Sequence, residues 1–185
     1  MRVLTAIVLG IAFSVAADGQ AVADACRATI PSSVGRALSQ RFPAYRLPFV
    51  TDSLDEDTAF DRNNGGNGCL LVASADFDGD NQKDFAVGLT PKSGSVPLVA
   101  VALSRKNEWL LSMVKSWVDV PMRLYVTSAP PGVHTRTEAL DGPLEPTERQ
   151  SLRCSHAAVI VGTTESTGIA YCYANKRWLH VWVSD

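Results

Sequence analysis

A nine-residue acidic segment at positions 76–84 constrains the fold of this chain more than any other feature. Its sequence is Asp-Phe-Asp-Gly-Asp-Asn-Gln-Lys-Asp, so carboxylates stand at positions 1, 3, 5 and 9. Short apolar runs lie on both sides, at 69–75 and 85–89, and their length is typical of β-strands. Gly79 suits a tight bend because glycine has no Cβ to restrict the backbone. The segment therefore predicts a turn between two strands.

The same segment predicts a cation site. Carboxylates at close range repel one another unless a cation offsets their charge, and a hard cation such as Ca²⁺ takes six to eight oxygen ligands. The predicted ligands are four carboxylates and the backbone carbonyl of position 82: Asp76, Asp78, Asp80, Gln82 and Asp84. Val87 stands at loop position 12, where an EF-hand loop has Glu, so this is not an EF-hand. A solvated acidic turn without an ion is the alternative.

The segment resembles the calcium-binding turn of FG-GAP and VCBS-type β-repeats, which share the pattern Asp-x-Asp-Gly-Asp-x-x-x-Asp followed by apolar strand residues. Here Phe85-Ala86-Val87-Gly88 supplies that strand. The pattern occurs once in this chain, whereas β-propellers of that type repeat it. The resemblance implies Ca²⁺ as the bound ion, and it does not imply a complete propeller.

The N-terminal residues have the composition of a secretory signal peptide. Arg2 precedes a short apolar run at 3–17, which is too short for an ordinary transmembrane helix. Ala21-Val22-Ala23 fits the A-x-A cleavage rule. We therefore predict a signal peptide at 1–23 and a single mature domain at 24–185 without a transmembrane segment, with cleavage after Ala17 as the alternative. The predicted location is the periplasm or the exterior, and lipid attachment at Cys26 is a minor alternative.

Export makes the four cysteines candidates for two disulfides. They are Cys26, Cys69, Cys154 and Cys172, and four cysteines allow three connectivities. The sequence does not choose among these connectivities; Cys154 and Cys172 flank an apparent hairpin, so a bridge between them is plausible, and Cys26 would then pair with Cys69. A metal site is disfavoured because the chain has no C-x-x-C pair.

The remaining pattern predicts one helix followed by many strands. Residues 31–33 form a helix-start signal, and Pro43 ends the helical spacing of apolar residues that follows. Residues 44–68 have no clean period and are predicted to form a surface loop. Residues 108–117 fit either a strand or a helix. Further strands are predicted at 96–103, 123–127, 157–161, 169–173 and 177–183.

These elements predict an α+β fold that is predominantly antiparallel β. The N-terminal helix is expected to pack on a curled sheet, or on a partial propeller or barrel. In the last predicted strand, Trp178, His180 and Trp182 share one face, and apolar residues share the other. Such an aromatic stripe is compatible with glycan binding, but we expect a strand that is packed on both faces.

A polar hairpin tip near the C-terminus indicates a binding role. Residues 167–171, Thr-Gly-Ile-Ala-Tyr, resemble the Ser-Gly-x-x-Tyr motif of periplasmic lysozyme inhibitors, with Thr in place of Ser. The resemblance implies that this loop enters the cleft of a lysozyme-like hydrolase. The predicted contact residues are Glu165, Ser166, Thr167, Gly168 and Tyr171. The alternative is an ordinary hairpin turn followed by a half-buried tyrosine.

The chain lacks the signatures of common enzyme classes and of general nucleic-acid binders. It has no G-x-S-x-G, H-E-x-x-H or G-x-x-x-x-G-K-[ST] motif. With 17 Lys and Arg against 19 Asp and Glu, it has no basic surplus for nucleic acid. With its export signal, its calcium-type loop and its ending at 178–185, the chain resembles a group of periplasmic proteins, some of which act as inhibitors or immunity proteins against lysozyme-like effectors. We therefore expect a non-catalytic inhibitor or immunity protein, and a calcium-stabilised structural or adhesion module is the alternative.

Overall fold

The computed structural model of the chain describes residues 23–184, apart from 95, 107, 118–122, 141 and 165. The predicted signal peptide, 1–23, thus lies almost entirely outside the described residues. Across the described ranges the chain forms three α-helices, one 3₁₀ turn at Val50–Asp52 and eleven β-strands. The helices are α1 (Ala25–Thr29), α2 (Ser32–Arg41) and α3 (Asp55–Asn63). The strands are β1 (Tyr45–Arg46), β2 (Val72–Ala75), β3 (Asp84–Pro91), β4 (Leu98–Arg105), β5 (Glu108–Ser116), β6 (Leu124–Ala129), β7 (Gly132–Thr135), β8 (Ser151–Cys154), β9 (Ala158–Thr163), β10 (Thr167–Ala174) and β11 (Arg177–Ser184).

The strands form two main antiparallel sheets and a two-stranded ribbon. The first sheet has the order β1-β3-β4-β5, and β2 pairs with the same side of β3 as β1. The second sheet has the order β11-β10-β9-β6, and the ribbon pairs β7 with β8. In the described part of the chain neither sheet closes into a barrel. The predicted α+β class with predominantly antiparallel strands is therefore confirmed.

The two sheets face each other across the main hydrophobic core. The first sheet contributes Val99, Val101 and Leu103 from alternate positions of β4. The second sheet contributes Val159 and Val161 from β9, among others. A backbone hydrogen bond of 2.7 Å from the N–H of Val126 to the carbonyl of Leu70 joins the two layers at one side.

Each sheet also packs on its outer face, which explains the continuous apolar runs in β3 and β4. Helix α2 places Val34 and Leu38 on the first sheet, against Val87 and Ala100. The ribbon covers the second sheet through Leu152 and Cys154. The order of layers is therefore helix, sheet, sheet and ribbon.

The disulfide pairing that the apparent hairpin makes plausible is present. Cys26 in α1 is bonded to Cys69, just before β2, and Cys154 in β8 is bonded to Cys172 in β10. The first bond ties the N-terminal helix to the first sheet, and the second ties the ribbon to the second sheet. Two disulfides are typical of proteins from an oxidising, extracytoplasmic compartment. The bond at Cys26 also occupies the sulfur that lipid attachment would need.

The prediction of a surface loop over 44–68 is wrong, because this segment contains β1 and α3. Helix α3 begins with three acidic residues, which favour a helix N-terminus. Its buried positions are Asp57 and Thr58 rather than apolar residues, so the segment has no hydrophobic period to detect. Asp57 is held by Arg123, which lies immediately before β6. A tertiary ion pair thus anchors this helix.

The last strand is packed on both faces, as predicted. Trp178 and Trp182 pack against the core between the sheets, and Leu179 and Val183 pack toward the ribbon. Segment 108–117 is a strand, β5, although its periodicity also fits a helix. No helix among residues 23–184, with the gaps given above, is long and apolar enough to cross a membrane.

The outer edge of β11 is covered by a strap, residues 136–149. The N–H of Arg149 donates to the carbonyl of His180, and the N–H of His180 donates to the carbonyl of Thr147. A buried ion pair joins the two ends of the strap, with Nε of Arg136 lying 2.7 Å from Oε1 of Glu148. The strap therefore satisfies backbone groups that an edge strand would otherwise expose.

Candidate metal centre

The acidic segment 76–84 is the turn between β2 and β3, as the sequence predicts. The adjoining ladder pairs Ala75 with Asp84. Gly79 and Asn81 have φ angles of 84° and 63°, which lie in the left-handed region that glycine and asparagine tolerate. The Asp76 carboxylate accepts hydrogen bonds from the N–H groups of Gly79 at 2.7 Å and Asn81 at 2.9 Å. The turn is therefore folded around the side chain of Asp76.

The ring of His156, in the connection between β8 and β9, leaves no space for a Cβ at position 79. A Cβ built on Gly79 would lie 2.0 Å from Cε1 of His156. The next residue, Ala157, donates its N–H to the carbonyl of Asp76 at 3.2 Å. The acidic turn is thus packed against the connection between β8 and β9, which fixes its position relative to the second sheet.

Asp84 is the most buried carboxylate of the segment, with no exposed surface. Its Oδ2 accepts from the N–H of Phe77 at 2.8 Å, and its Oδ1 accepts from the N–H of Ser104 at 2.7 Å. Burial raises the pKa of Asp84 to about 6, and it outweighs these two N–H donors, which favour the charged form. The carboxylates of Asp78 and Asp80 raise the pKa further.

The pKa of Asp76 is shifted in the opposite direction from that of Asp84. Burial disfavours its charged form, but the N–H donors of Gly79 and Asn81 outweigh burial and lower the pKa of Asp76. The two carboxylates at the ends of the segment therefore differ in their preference for a proton. A bound cation would remove the cost of ionising Asp84, because an opposite charge nearby favours the charged form.

Three of the five predicted ligands converge. Asp76, Asp78 and Asp84 each place a carboxylate oxygen within 4.8 Å of the others. Asp80 lies outside this cluster and is exposed. Its Oδ1 accepts from the N–H of Gln82 at 2.9 Å, and the amide oxygen of Gln82 accepts from Oγ of Ser104 at 2.8 Å. These two residues shape the turn and its contact with β4.

Arg105, at the end of β4, is a cation that the sequence analysis did not anticipate. Its guanidinium forms an ion pair with Asp78, and its Nη1 lies 3.4 Å from Oδ2 of Asp80. The antiparallel pairing of β3 with β4 brings this side chain to the turn. Spacing along the chain gives no signal for it, because the contact depends on strand register. Arg105 offsets part of the negative charge of the turn.

The donor set fits a hard divalent cation. An ionised carboxylate has about four lone-pair sites, and Asp76 and Asp84 each use two of them for backbone N–H groups. Each therefore retains acceptor capacity toward the centre of the cluster. Anionic oxygens are the ligands that Ca²⁺ prefers, and the described cluster contains neither a histidine nor a cysteine that would favour a transition metal.

The hairpin between β9 and β10 places only part of the predicted partner contact at the surface. Ser166 is exposed. Gly168 is buried, and Tyr171 is 5% exposed in the core between the sheets. The prediction that Gly168 and Tyr171 contact a partner is therefore wrong, because β10 is covered on both faces. Glu165 lies outside the described residues, and of Thr167 only the backbone is described, as the first residue of β10.

No family model matches this chain, and no curated protein or solved structure matches it either.

Proposed function

We propose that this chain is an exported, non-catalytic binding protein whose fold is stabilised by Ca²⁺ at the turn between β2 and β3. The observation that carries the proposal is the cluster of Asp76, Asp78 and Asp84, in which the carboxylate of Asp84 is completely buried. A buried carboxylate without a matching cation opposes folding at neutral pH. Ca²⁺ would supply that charge and join the first sheet to the turn.

The ion would stabilise the structure rather than take part in a reaction. Asp84 is hydrogen-bonded to Ser104 of β4, and Asp76 is hydrogen-bonded within the turn. An ion bound to both would therefore couple the turn to the centre of the first sheet. The two disulfides support an exported, oxidising setting, and the periplasm is the compartment that we propose.

A calcium titration by calorimetry tests the metal site. We expect one Ca²⁺ per chain for the protein purified without its signal peptide, and loss of the binding signal in Asp76→Asn. Glu108→Gln is the matched control, because Glu108 is an exposed acid on β5 outside the turn. Equal binding by Asp76→Asn and Glu108→Gln would contradict the proposed site.

We propose a lysozyme-like peptidoglycan hydrolase as the partner, as the sequence resemblance implies. The exposed Ser166 at the end of the hairpin between β9 and β10 supports this proposal, because a protruding polar tip suits a concave cleft. We expect the mature protein to inhibit such a hydrolase, and we expect Ser166→Ala to weaken the inhibition without changing the thermal melt. Inhibition that is unchanged in Ser166→Ala would contradict a contact through this hairpin and would move it to segment 128–134, at the opposite end of β9.

The alternative function is a calcium-stabilised structural or adhesion module. The same acidic turn supports it, since an ion that stabilises the fold serves either role. The hydrolase assay separates the two functions. A module that binds Ca²⁺ with full stability and leaves hydrolase activity unchanged at micromolar concentrations would favour the alternative.

A further inference from the structure

Helix α3 forms one wall of an open cleft whose other wall is β6. The larger part of the cleft has a volume of about 630 Å³ and is lined by Asp61, Tyr125 and Thr127, among others. A second part of about 590 Å³ continues along α3, and the two parts share Asp57, Phe60 and Thr164. Volumes of this size are typical of sites that take a ligand. Because the two parts share lining residues of α3, they form a continuous cleft that can take an extended chain segment.

The charged side chains that line this cleft have an excess of negative charge. They comprise the carboxylates of Glu56, Asp57 and Asp61 and the guanidinium of Arg123. Three negative groups and one positive group leave a net charge of −2, and no other Lys or Arg among the described residues lines the two parts. The cleft therefore favours a cationic ligand and disfavours an anionic one.

The ion pair at the base of the cleft leaves this negative charge in place. Nη2 of Arg123 lies 2.7 Å from Oδ1 of Asp57, which is 8% exposed, and 3.3 Å from Oε1 of Glu56. This pairing satisfies the buried carboxylate of Asp57. The Glu56 side chain, which lines the second part, is 69% exposed, and Asp61 lines the larger part further along the helix.

An exposed aromatic ring lines both parts of the cleft. Phe60 is 72% exposed, which is the highest value among the large hydrophobic side chains whose exposure is described. It lies on the same face of α3 as Glu56 and Asp57, since residues three and four apart are neighbours on a helix. The face of an aromatic ring attracts a guanidinium or ammonium group. The ring also offers apolar surface for the methylene groups of a long cationic side chain.

Hydrogen bonds and a disulfide hold both walls of the cleft in place. Oδ2 of Asp61 accepts from the N–H of Gly68 at 2.8 Å, and a Cβ on Gly66 would clash with the same carboxylate at 2.0 Å. The Cys26–Cys69 disulfide holds the end of this turn. The opposite wall is fixed by a 2.9 Å hydrogen bond from the N–H of Thr164 to the carbonyl of Arg123. Preorganised sites lose less conformational entropy on binding.

We propose that this cleft binds an arginine or lysine side chain on an extended segment of a partner protein. The cationic group lies over the ring of Phe60 and next to the carboxylate of Glu56, Asp61 adds negative charge further along the cleft, and the partner's backbone follows α3. This site is separate from the acidic turn at 76–84, and the proposal does not depend on calcium binding or on the identity of the hydrolase.

An NMR titration of the mature protein with a defined peptide tests the proposal. The probe is a capped pentapeptide with one central arginine flanked by alanines, and its matched control carries citrulline, which keeps the shape and removes the charge. We expect saturable shifts at the backbone amides of Thr127 and Thr164 with the arginine peptide. We expect at least tenfold weaker binding of the citrulline peptide.

Matched variants separate the cleft from general surface charge. Glu56→Gln with Phe60→Ala removes one acid and one exposed apolar side chain from the cleft, and Glu108→Gln with Met113→Ala removes the same kinds of group from β5. All four side chains are exposed, so both variants should retain the wild-type melt. We expect the first variant to weaken arginine-peptide binding at least tenfold and the second to leave it unchanged.

Four results would overturn the proposal. Equal binding of the arginine and citrulline peptides would remove the role of charge, and equal loss in both double variants would show nonspecific attraction. Absence of saturable shifts at millimolar peptide would show that the cleft does not take this side chain. Agmatine is the free-ligand comparison, and affinity for it equal to that of the peptide would overturn the assignment to a protein segment.

Discussion

Replacing Asp84 with asparagine should have different effects with and without calcium. Asp84 is completely buried and its pKa is raised to about 6, against an unfolded value of about 3.9. A carboxyl whose folded pKa is raised binds more protons in the folded state between these values, so the free energy of unfolding decreases as pH rises through this window. Two pKa units correspond to about 3 kcal/mol of lost stability at pH 7.

The Asp84→Asn substitution removes this charge, but it also places an amide N–H₂ near the N–H of Phe77 or of Ser104. The loss of one acceptor costs about 1–3 kcal/mol, which nearly cancels the gain. In EDTA at pH 7 we therefore expect Asp84→Asn to lie within about 2 kcal/mol of the wild type. With saturating Ca²⁺ it should be clearly less stable, because the variant loses an anionic ligand.

Urea unfolding in EDTA between pH 4.5 and 7 measures this difference. We expect the stability of the wild type relative to Asp84→Asn to increase by about 2 kcal/mol as the pH falls across the range, which stops short of the unfolded pKa. Comparison with the variant cancels the titration of the other acidic groups. A relative stability that does not change with pH, or an Asp84→Asn variant that matches the wild type in saturating Ca²⁺, would refute this reasoning.

Three further substitutions probe the turn and the strap. Arg105→Gln should tighten Ca²⁺ binding about fivefold in calorimetry, because removing a neighbouring positive charge is worth about 1 kcal/mol; unchanged affinity would contradict competition between the guanidinium and the ion. Gly79→Ala should lower the free energy of unfolding in urea more than Gly65→Ala does. Both glycines have positive φ, so both variants carry a backbone strain of about 1–2 kcal/mol, but only a Cβ at 79 meets His156, whereas a Cβ at 65 meets nothing within 4 Å. Equal losses would argue against the contact with His156. Arg136→Ala should lower the free energy of unfolding by about 3 kcal/mol or more by leaving Glu148 buried without its partner, and adding Glu148→Gln should restore part of that loss.

The sequence is informative wherever a local pattern decides the structure. The acidic turn and helix α2 both follow from short-range signals, whereas the sequence leaves the choice among three disulfide connectivities open. Short-range signals do not reveal helix α3, because its buried residues are Asp57 and Thr58. Asp57 is held by an ion pair to Arg123, which lies 66 positions away in the sequence. A hydrophobic period cannot reveal a helix that is anchored in this way.

The candidate site is predictable only in part. Asp76, Asp78 and Asp84 converge, whereas Asp80 lies outside the cluster and contacts Arg105 and Gln82. A short motif predicts Tyr171 at the surface, whereas the packing of the two sheets buries it. Strand register and layer packing are tertiary properties, and neither leaves a pattern in the local sequence.

The central claim is that Ca²⁺ stabilises the fold through the acidic turn, and thermal melting of the mature protein tests it most directly. Binding to the folded state alone adds about 2.7 kcal/mol at a hundredfold excess over Kd, which corresponds to an increase in Tm of about 5–10 °C for a domain of this size. We predict that increase in millimolar Ca²⁺ relative to EDTA for the wild type, and its absence in Asp76→Asn. Identical melting midpoints of the wild type in EDTA and in millimolar Ca²⁺ would contradict the account.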